Sequence, residues 1–358
     1  MGDLTVNWRR CRCRHSENDD IVLRMILIPK RWRMMPVVIA AGMTSVLVVG
    51  CASPTASDGE EQLSPILATT SIWADITSEV LCGEAVPSLI PIGSDPHTWE
   101  PSMATRADVD ASLAIITNGL GLESGLDDIL DSARANGIQV VELTAVVELL
   151  PTLAAHDGDD EGDQSEDEHS EDEHSHSESG LDPHIWLDPQ RVIDTIPTIV
   201  EVAVESGFDR SEIEVCAEEY SNSLRELDTE INNLFESLTD SDRTIVTNHD
   251  SLGYFADRYD LTVIGTVLPS TDTSTEANAA DLAALADLIT SSEVTTIFTD
   301  SESSDTDSQA LAERLDINVV PLLTSSLTSG SESGRSYIEL MRTNANAIHS
   351  ALQHSDQP

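Results

Sequence analysis

Imidazole and carboxylate groups, the usual ligand set of divalent metals, are concentrated in one stretch of this chain. Residues 156–189 read HDGDDEGDQSEDEHSEDEHSHSESGLDPHIWLDP. Imidazole favours zinc and copper over magnesium or calcium. The first part repeats SEDEH and holds no apolar residue from Asp157 to Gly180, so it cannot bury enough surface to offset its ordering entropy. It reads as a loop whose His156, His169, His174 and His176 bind metal weakly and exchangeably. The second part differs in kind, because Leu181, Ile185, Trp186 and Leu187 frame a single His184. One ordered ligand beside a metal-collecting loop is the chemistry this stretch offers.

Ordered ligands need elements to hold them, and strand-like and helix-like stretches alternate on both sides of the loop. Before it, strands are expected at 65–70, 86–92, 113–117 and 139–143. Helices are expected from a Ser71 cap, over about 103–112 and over 126–135. After it come a helix over 190–205 and the longest helical pattern in the chain, 210–239. That pattern places Ile213, Cys216, Tyr220, Leu224, Leu227, Ile231, Leu234 and Leu238 in steps of three and four, and no Gly or Pro interrupts it. A second alternation follows, with strands at 244–247, 261–267, 294–298 and 317–322 and a last helix over about 335–352. Such alternation predicts an α/β fold of two lobes, each a mostly parallel sheet flanked by helices, joined by a long rigid connecting helix. The expected boundaries are 64–206 for the first lobe with its loop 156–180, 207–241 for the connector, and 242–358 for the second lobe.

In open α/β sheets, ligands sit beyond the carboxyl ends of the strands. His97 follows the second expected strand, His184 follows the loop, His249 follows the first strand of the second lobe and Asp300 follows its third. Two come from each lobe, so their common point is the cleft between lobes. Three neutral imidazoles and a carboxylate make a tetrahedral set that suits Zn²⁺. A zinc hydrolase is the rival reading. Catalytic zinc keeps an open position and a general base, whereas here a fourth ligand is available, no HExxH occurs and no nucleophile motif stands out.

The balance of 65 acidic against 18 basic residues, a net charge of −47, repels nucleic acid and attracts cations. It also fits a salty medium, where screening permits dense like charge. Lys30, Arg31 and Arg33 precede an uncharged run from Pro36 to Val49 that ends in Gly50-Cys51. This describes an export signal too short for a comfortable membrane span. Cys51, followed by the small and polar residues of a tether over 52–63, resembles a bacterial lipobox. Cleavage there leaves Cys51 lipidated and the protein anchored at the outer face of the membrane. Residues 1–24 read poorly as signal sequence, which makes Met25, Met34 or Met35 candidate starts within the 1–51 leader. Cys82 and Cys216 are compatible with one disulfide or with two separate buried thiols.

Taken in order, PIGSDPHTWEPSMATRADVDASLAIITNGLGLE, the His-rich acidic loop, DPHIWLDP, TNHDSLGYFADRYDL and TIFTDSES resemble the metal-binding lipoproteins of ABC importers for zinc and manganese, the substrate-binding proteins of cluster A-I. The resemblance covers nearly all of the chain from Ser64 onward. It implies two α/β lobes clamping a metal, no enzymatic activity, and a monomer that delivers its ion to an ABC permease. Its ligands here would be His97, His184, His249 and Asp300. Glu302 competes for the fourth place, and in some zinc relatives a water takes it. Members with a third histidine and a His-rich loop are zinc-type, so His249 favours Zn²⁺ over Mn²⁺. A surface adhesin role, suggested for relatives, can coexist with transport.

Overall fold

The computed structural model describes residues 65–153, 180–275, 277–302, 305–329 and 334–353. The leader, Cys51, the tether and the histidines of the acidic loop lie outside the described residues. The first sheet holds β1 (Ile66–Ala68), β2 (Ala114–Thr117) and β3 (Gln139–Glu142), all parallel and in that spatial order. Helices α1 (Ser71–Val80), α2 (Met103–Ala111) and α3 (Asp127–Ala135) connect them. Thr70, one residue earlier than expected, caps α1 by accepting from the Trp73 N–H. All four residues of β2 are buried, as parallel strands covered on both faces require.

One expected strand is not formed. Residues 86–92 run beside β1, but only Ser88 makes a bridge, to Ala68. Pro87 and Pro91 flank this bridge, and proline has no N–H to contribute to a ladder. Leu89 and Ile90 still donate to the carbonyls of Ala68 and Thr69. The segment therefore leaves the sheet edge toward His97.

Helix α4 (Pro189–Glu205) starts with Pro189 behind an Asp188 cap, where its missing N–H costs nothing. Helix α5 (Arg210–Phe235) spans 26 residues, or roughly 39 Å at 1.5 Å per residue. It stops four residues short of the expected end at 239, in a turn over Glu236-Ser237-Leu238. The second sheet comprises β4 (Thr244–Thr247), β5 (Thr262–Thr266), β6 (Thr296–Asp300) and β7 (Asn318–Leu322), all parallel, in the order β5-β4-β6-β7. Helices α6 (Gly253–Tyr259), α7 (Ala279–Ser291), α8 (Thr306–Leu315) and α9 (Tyr337–Gln353) complete this lobe. The fold is thus two lobes of parallel sheet flanked by helices.

Helix α5 packs against α1 and α4 of the first lobe and against α6 and α9 of the second. Its buried face, from Ile213 through Leu224 and Leu227 to Phe235, belongs to one apolar cluster that also takes Trp73 and Ile76 from the first lobe and Phe255 and Tyr337 from the second. Cys82, just past α1, is disulfide-bonded to Cys216 of α5 across 134 residues of chain. A loop of that length is worth about 4–5 kcal/mol in the chain-entropy model. No described helix is long and apolar enough to cross a membrane.

Polar contacts also cross between lobes. Asp75 of α1 accepts from the Tyr337 N–H at the start of α9 (2.8 Å), and Ser71 accepts from the Leu327 N–H (3.0 Å). Burial, with Glu79 and Glu339 nearby, pushes the Asp75 carboxyl up to about 6 although the Tyr337 N–H opposes it. The folded state therefore holds this proton more tightly than the unfolded chain. The associated stability is complete below pH 3.8 and is lost as pH rises through 6. Asp75→Asn keeps the acceptor and removes the titration. It is expected to raise unfolding stability at pH 7.5 by about 1–3 kcal/mol and to leave it unchanged at pH 3.5. Urea denaturation at the two pH values checks this, and equal effects at both would contradict it.

Candidate metal centre

The same local device presents two of the histidines. In Asp95-Pro96-His97 and in Asp182-Pro183-His184, the histidine N–H donates to the aspartate two residues earlier, at 3.0 and 2.9 Å. An aspartate that closes a turn onto its own backbone, with proline fixing the middle φ, gives a stiff corner without regular structure. His249 is held differently. It follows β4 directly, and its carbonyl accepts from Thr247 Oγ1 (2.8 Å). Asn248 before it donates its N–H to Phe298 of β6 and accepts from Leu268.

These corners bring three rings to one point. His97 Nε2 lies 3.3 Å from His184 Nε2, which lies 3.4 Å from His249 Nε2. His184 and His249 are fully buried and His97 is 8% exposed. Among the described residues these three form the group able to hold a metal ion. In a tetrahedron, nitrogen–nitrogen edges of this length correspond to metal–nitrogen distances of about 2.0–2.1 Å, the range found for Zn–N. Burial, reinforced by the neighbouring rings, lowers His97 and His184 to about 3, so both are neutral and able to donate lone pairs. At His249 burial also opposes charge, but Asp300, Asp95 and Asp182 outweigh it and the ring is raised.

Asp300 does not join the three. Its Oδ2 sits 2.6 Å from His249 Nδ1, on the side of the ring away from Nε2, in a contact bent from the N–H direction. Its Oδ1 accepts from Thr324 Oγ1 (2.5 Å). Burial works against this carboxylate, but the His249 ring and Thr324 hold it down to about 2. Glu302 lies outside the group as well. It accepts from Ser301 Oγ (2.6 Å), and burial pushes it up to about 7.

Sequence reasoning missed the residues behind the rings. Asp182 Oδ1 contacts His184 Nδ1 at 2.7 Å. Burial pushes this carboxyl up to about 8, against the His184 N–H that favours its charge. Tyr254 of α6 donates its hydroxyl to the Asp182 carbonyl (2.8 Å) and accepts from the Leu150 N–H. Asn118, at the end of β2, donates to the Pro183 carbonyl (2.9 Å) and accepts from Trp73 Nε1 (3.1 Å). Buried Glu123 fixes Asn118 by accepting from its N–H (2.9 Å) and from Thr69 Oγ1 (2.5 Å). The repeated Asp-Pro-His triplet was the one visible signal of this layer.

The sequence matches, over residues 66–351, the family described as "Zinc-uptake complex component A periplasmic". The chain belongs to this family. Its members are metal-binding, substrate-binding components of ABC importers and not enzymes. The chain is 24% identical over 315 residues to the "Manganese-binding lipoprotein MntA" of Halalkalibacterium halodurans, covering 86% of this chain and 95% of that one. It is 25% identical over 314 residues to the "Zinc-binding lipoprotein AdcA" of Streptococcus pneumoniae, covering 86% of this chain and 59% of that one. In fold it is similar to the periplasmic zinc binding protein TroA of Treponema pallidum. The TM-score is 0.68 and the identity 22%, with 80% of this chain and 98% of that one covered.

The three rings are expected to titrate apart in the metal-free protein. Ring resonances followed by NMR between pH 3 and 9 should show His249 protonating above pH 6.5, with His97 and His184 still neutral at pH 4. One shared midpoint near 6.5 would contradict the electrostatics described here.

Proposed function

We propose that this family member captures Zn²⁺ through Nε2 of His97, His184 and His249 and delivers it to an ABC permease outside the cytoplasm. The observation that carries this reading is the convergence of three buried imidazole nitrogens, His184 Nε2 lying 3.3 Å from His97 Nε2 and 3.4 Å from His249 Nε2. Nitrogen donors favour zinc, whereas manganese prefers oxygen. The names of relatives divide between the two metals, so the donor set supports zinc where similarity alone does not. Manganese is the second reading, and the buried Asp300 favours it. This carboxylate could leave the His249 ring for the ion and add oxygen to the set, as a fourth ligand in the zinc case too.

On this reading Cys51 carries the lipid that holds the protein at the membrane, and the histidines of the acidic loop gather ions weakly. Helix α5 and the contacts between lobes limit hinge opening, so release relies on small shifts of one lobe and its ligand-bearing corners. The ligand imidazoles must be deprotonated at Nε2, so affinity falls as pH drops.

Competition with a chromogenic chelator on the soluble chain from Ala52 tests the proposal. One tight Zn²⁺ per chain is expected, with Mn²⁺ bound at least tenfold more weakly. His184→Ala should lose the tight site and keep the weak binding of the loop. Deleting 157–178 should do the reverse. Tight binding that survives His184→Ala would rule out the interlobe site, and a preference for Mn²⁺ would overturn the zinc assignment.

A further inference from the structure

Resting on the metal site proposed above, a question of charge follows. Three neutral imidazoles bring no charge to a pocket where two of them are fully buried. A divalent ion brings two positive charges, and an uncompensated ion in such a place is costly. Two carboxylates stand directly behind the rings. Asp300 contacts Nδ1 of His249 at 2.6 Å, and Asp182 contacts Nδ1 of His184 at 2.7 Å.

Asp182 lies outside the four ligands expected from the sequence. It is 1% exposed. Its Oδ1 serves both the N–H and the ring of His184, while its buried Oδ2 has no hydrogen-bond partner among the described residues. No lysine or arginine pairs with it through a described salt bridge. A β-carbon on Gly253, at the start of α6, would lie 2.6 Å from that Oδ2, so a glycine in the second lobe makes room for the carboxylate. A structural acceptor for two N–H groups needs no charge, and an amide in its place would serve as well.

We propose that Asp182 is a positioning and charge-compensating residue of the metal site. It fixes the Nδ1–H tautomer of His184 so that Nε2 faces the ion; in the ionised form that a bound cation favours, it and Asp300 supply the two negative charges that match a divalent cargo. Asp182 does not touch the ion. It acts through the ring of His184, as carboxylates behind metal-bound histidines do.

Coulomb energy is linear in the charge of the ion. Removing one unit of compensating charge therefore costs a monovalent ion half the free energy that it costs a divalent one. In affinity, the loss for Ag⁺, a monovalent ion that accepts imidazole ligands, is the square root of the loss for Zn²⁺. Asp182→Asn in the full chain keeps the acceptor and removes the charge. Chelator competition is expected to show Zn²⁺ affinity reduced about 10- to 100-fold and Ag⁺ affinity reduced only about 3- to 10-fold. The metal-free variant should melt no lower than wild type. Equal losses for both ions would overturn charge compensation and leave Asp182 a structural acceptor. Unchanged Zn²⁺ affinity would overturn the proposal entirely. If the asparagine variant does not fold, Asp182→Ser gives the same comparison of the two ions. Failure of the wild-type chain itself to bind Zn²⁺ tightly would instead refute the metal site on which the proposal rests.

Discussion

Three imidazole rings converging in a buried cleft, with His184 Nε2 3.3 Å from His97 Nε2 and 3.4 Å from His249 Nε2, are the constraint on which the rest of the molecule depends. Neutral nitrogens at that distance repel unless a proton or a cation lies between them, and burial removes the water that would otherwise separate them. The polypeptide must therefore hold the rings in place against their own electrostatics. It does so with short covalent corners: two Asp-Pro-His turns and one residue at the end of a buried strand. Regular elements supply the anchor points, and hydrogen bonds within two residues of each ring hold the corners.

The rings come from both lobes, so the lobes must keep their relation to within a few tenths of an ångström. Several independent features maintain it. Helix α5 shares one apolar cluster with both lobes. Asp75 and Ser71 of α1 bond to the segments around α9, and Thr273 of the second lobe donates to Asp95 in the corner that carries His97 (2.6 Å). The Trp186 indole donates to the Thr324 carbonyl, and the same Thr324 bonds Asp300. The corner bearing His184 and the carboxylate behind His249 are thus tied through one threonine. With so many crossings, a wide hinge motion would break many bonds at once, whereas a shift of one corner breaks few.

Much of this was legible in the sequence, and the reason is periodicity. Alternating strand and helix patterns located both sheets, and steps of three and four located α5. The position of His249 just beyond β4 followed from the general habit of open α/β sheets, and the Asp-Pro-His triplets marked His97 and His184. Where the reading went astray, tertiary context decided. Residues 86–92 are apolar enough for a strand, but Pro87 and Pro91 withhold the N–H groups that a ladder needs. Asp300 sits at the end of β6 as expected, and in this structure its oxygen lies against His249 Nδ1; no one-dimensional pattern specifies which side of a ring a carboxylate meets. For Cys82 and Cys216 the sequence left a disulfide and two separate thiols open, and the pairing that forms depends on how α1 packs along α5. Asp182 and Glu123 are buried without a salt bridge to lysine or arginine among the described residues, and sequence statistics treat such acids as surface residues.

An acidic surface and a buried acidic layer answer different needs in this protein. The 65 acidic residues create a long-range field that concentrates cations near the molecule, and salt weakens that field within a Debye length of about 8–10 Å. The carboxylates behind the rings act across one imidazole, where solvent screening is slight. On the proposed reading, capture from a dilute medium would draw on the first, and discrimination of ion charge on the second. The metal-free cleft is costly on both counts, since it keeps repelling lone pairs and buried carboxylates close together, and a cation relieves both. On the proposed reading, withdrawing the ion restores those costs, so release would draw on shifts of the ligand-bearing corners more than on opening of the lobes.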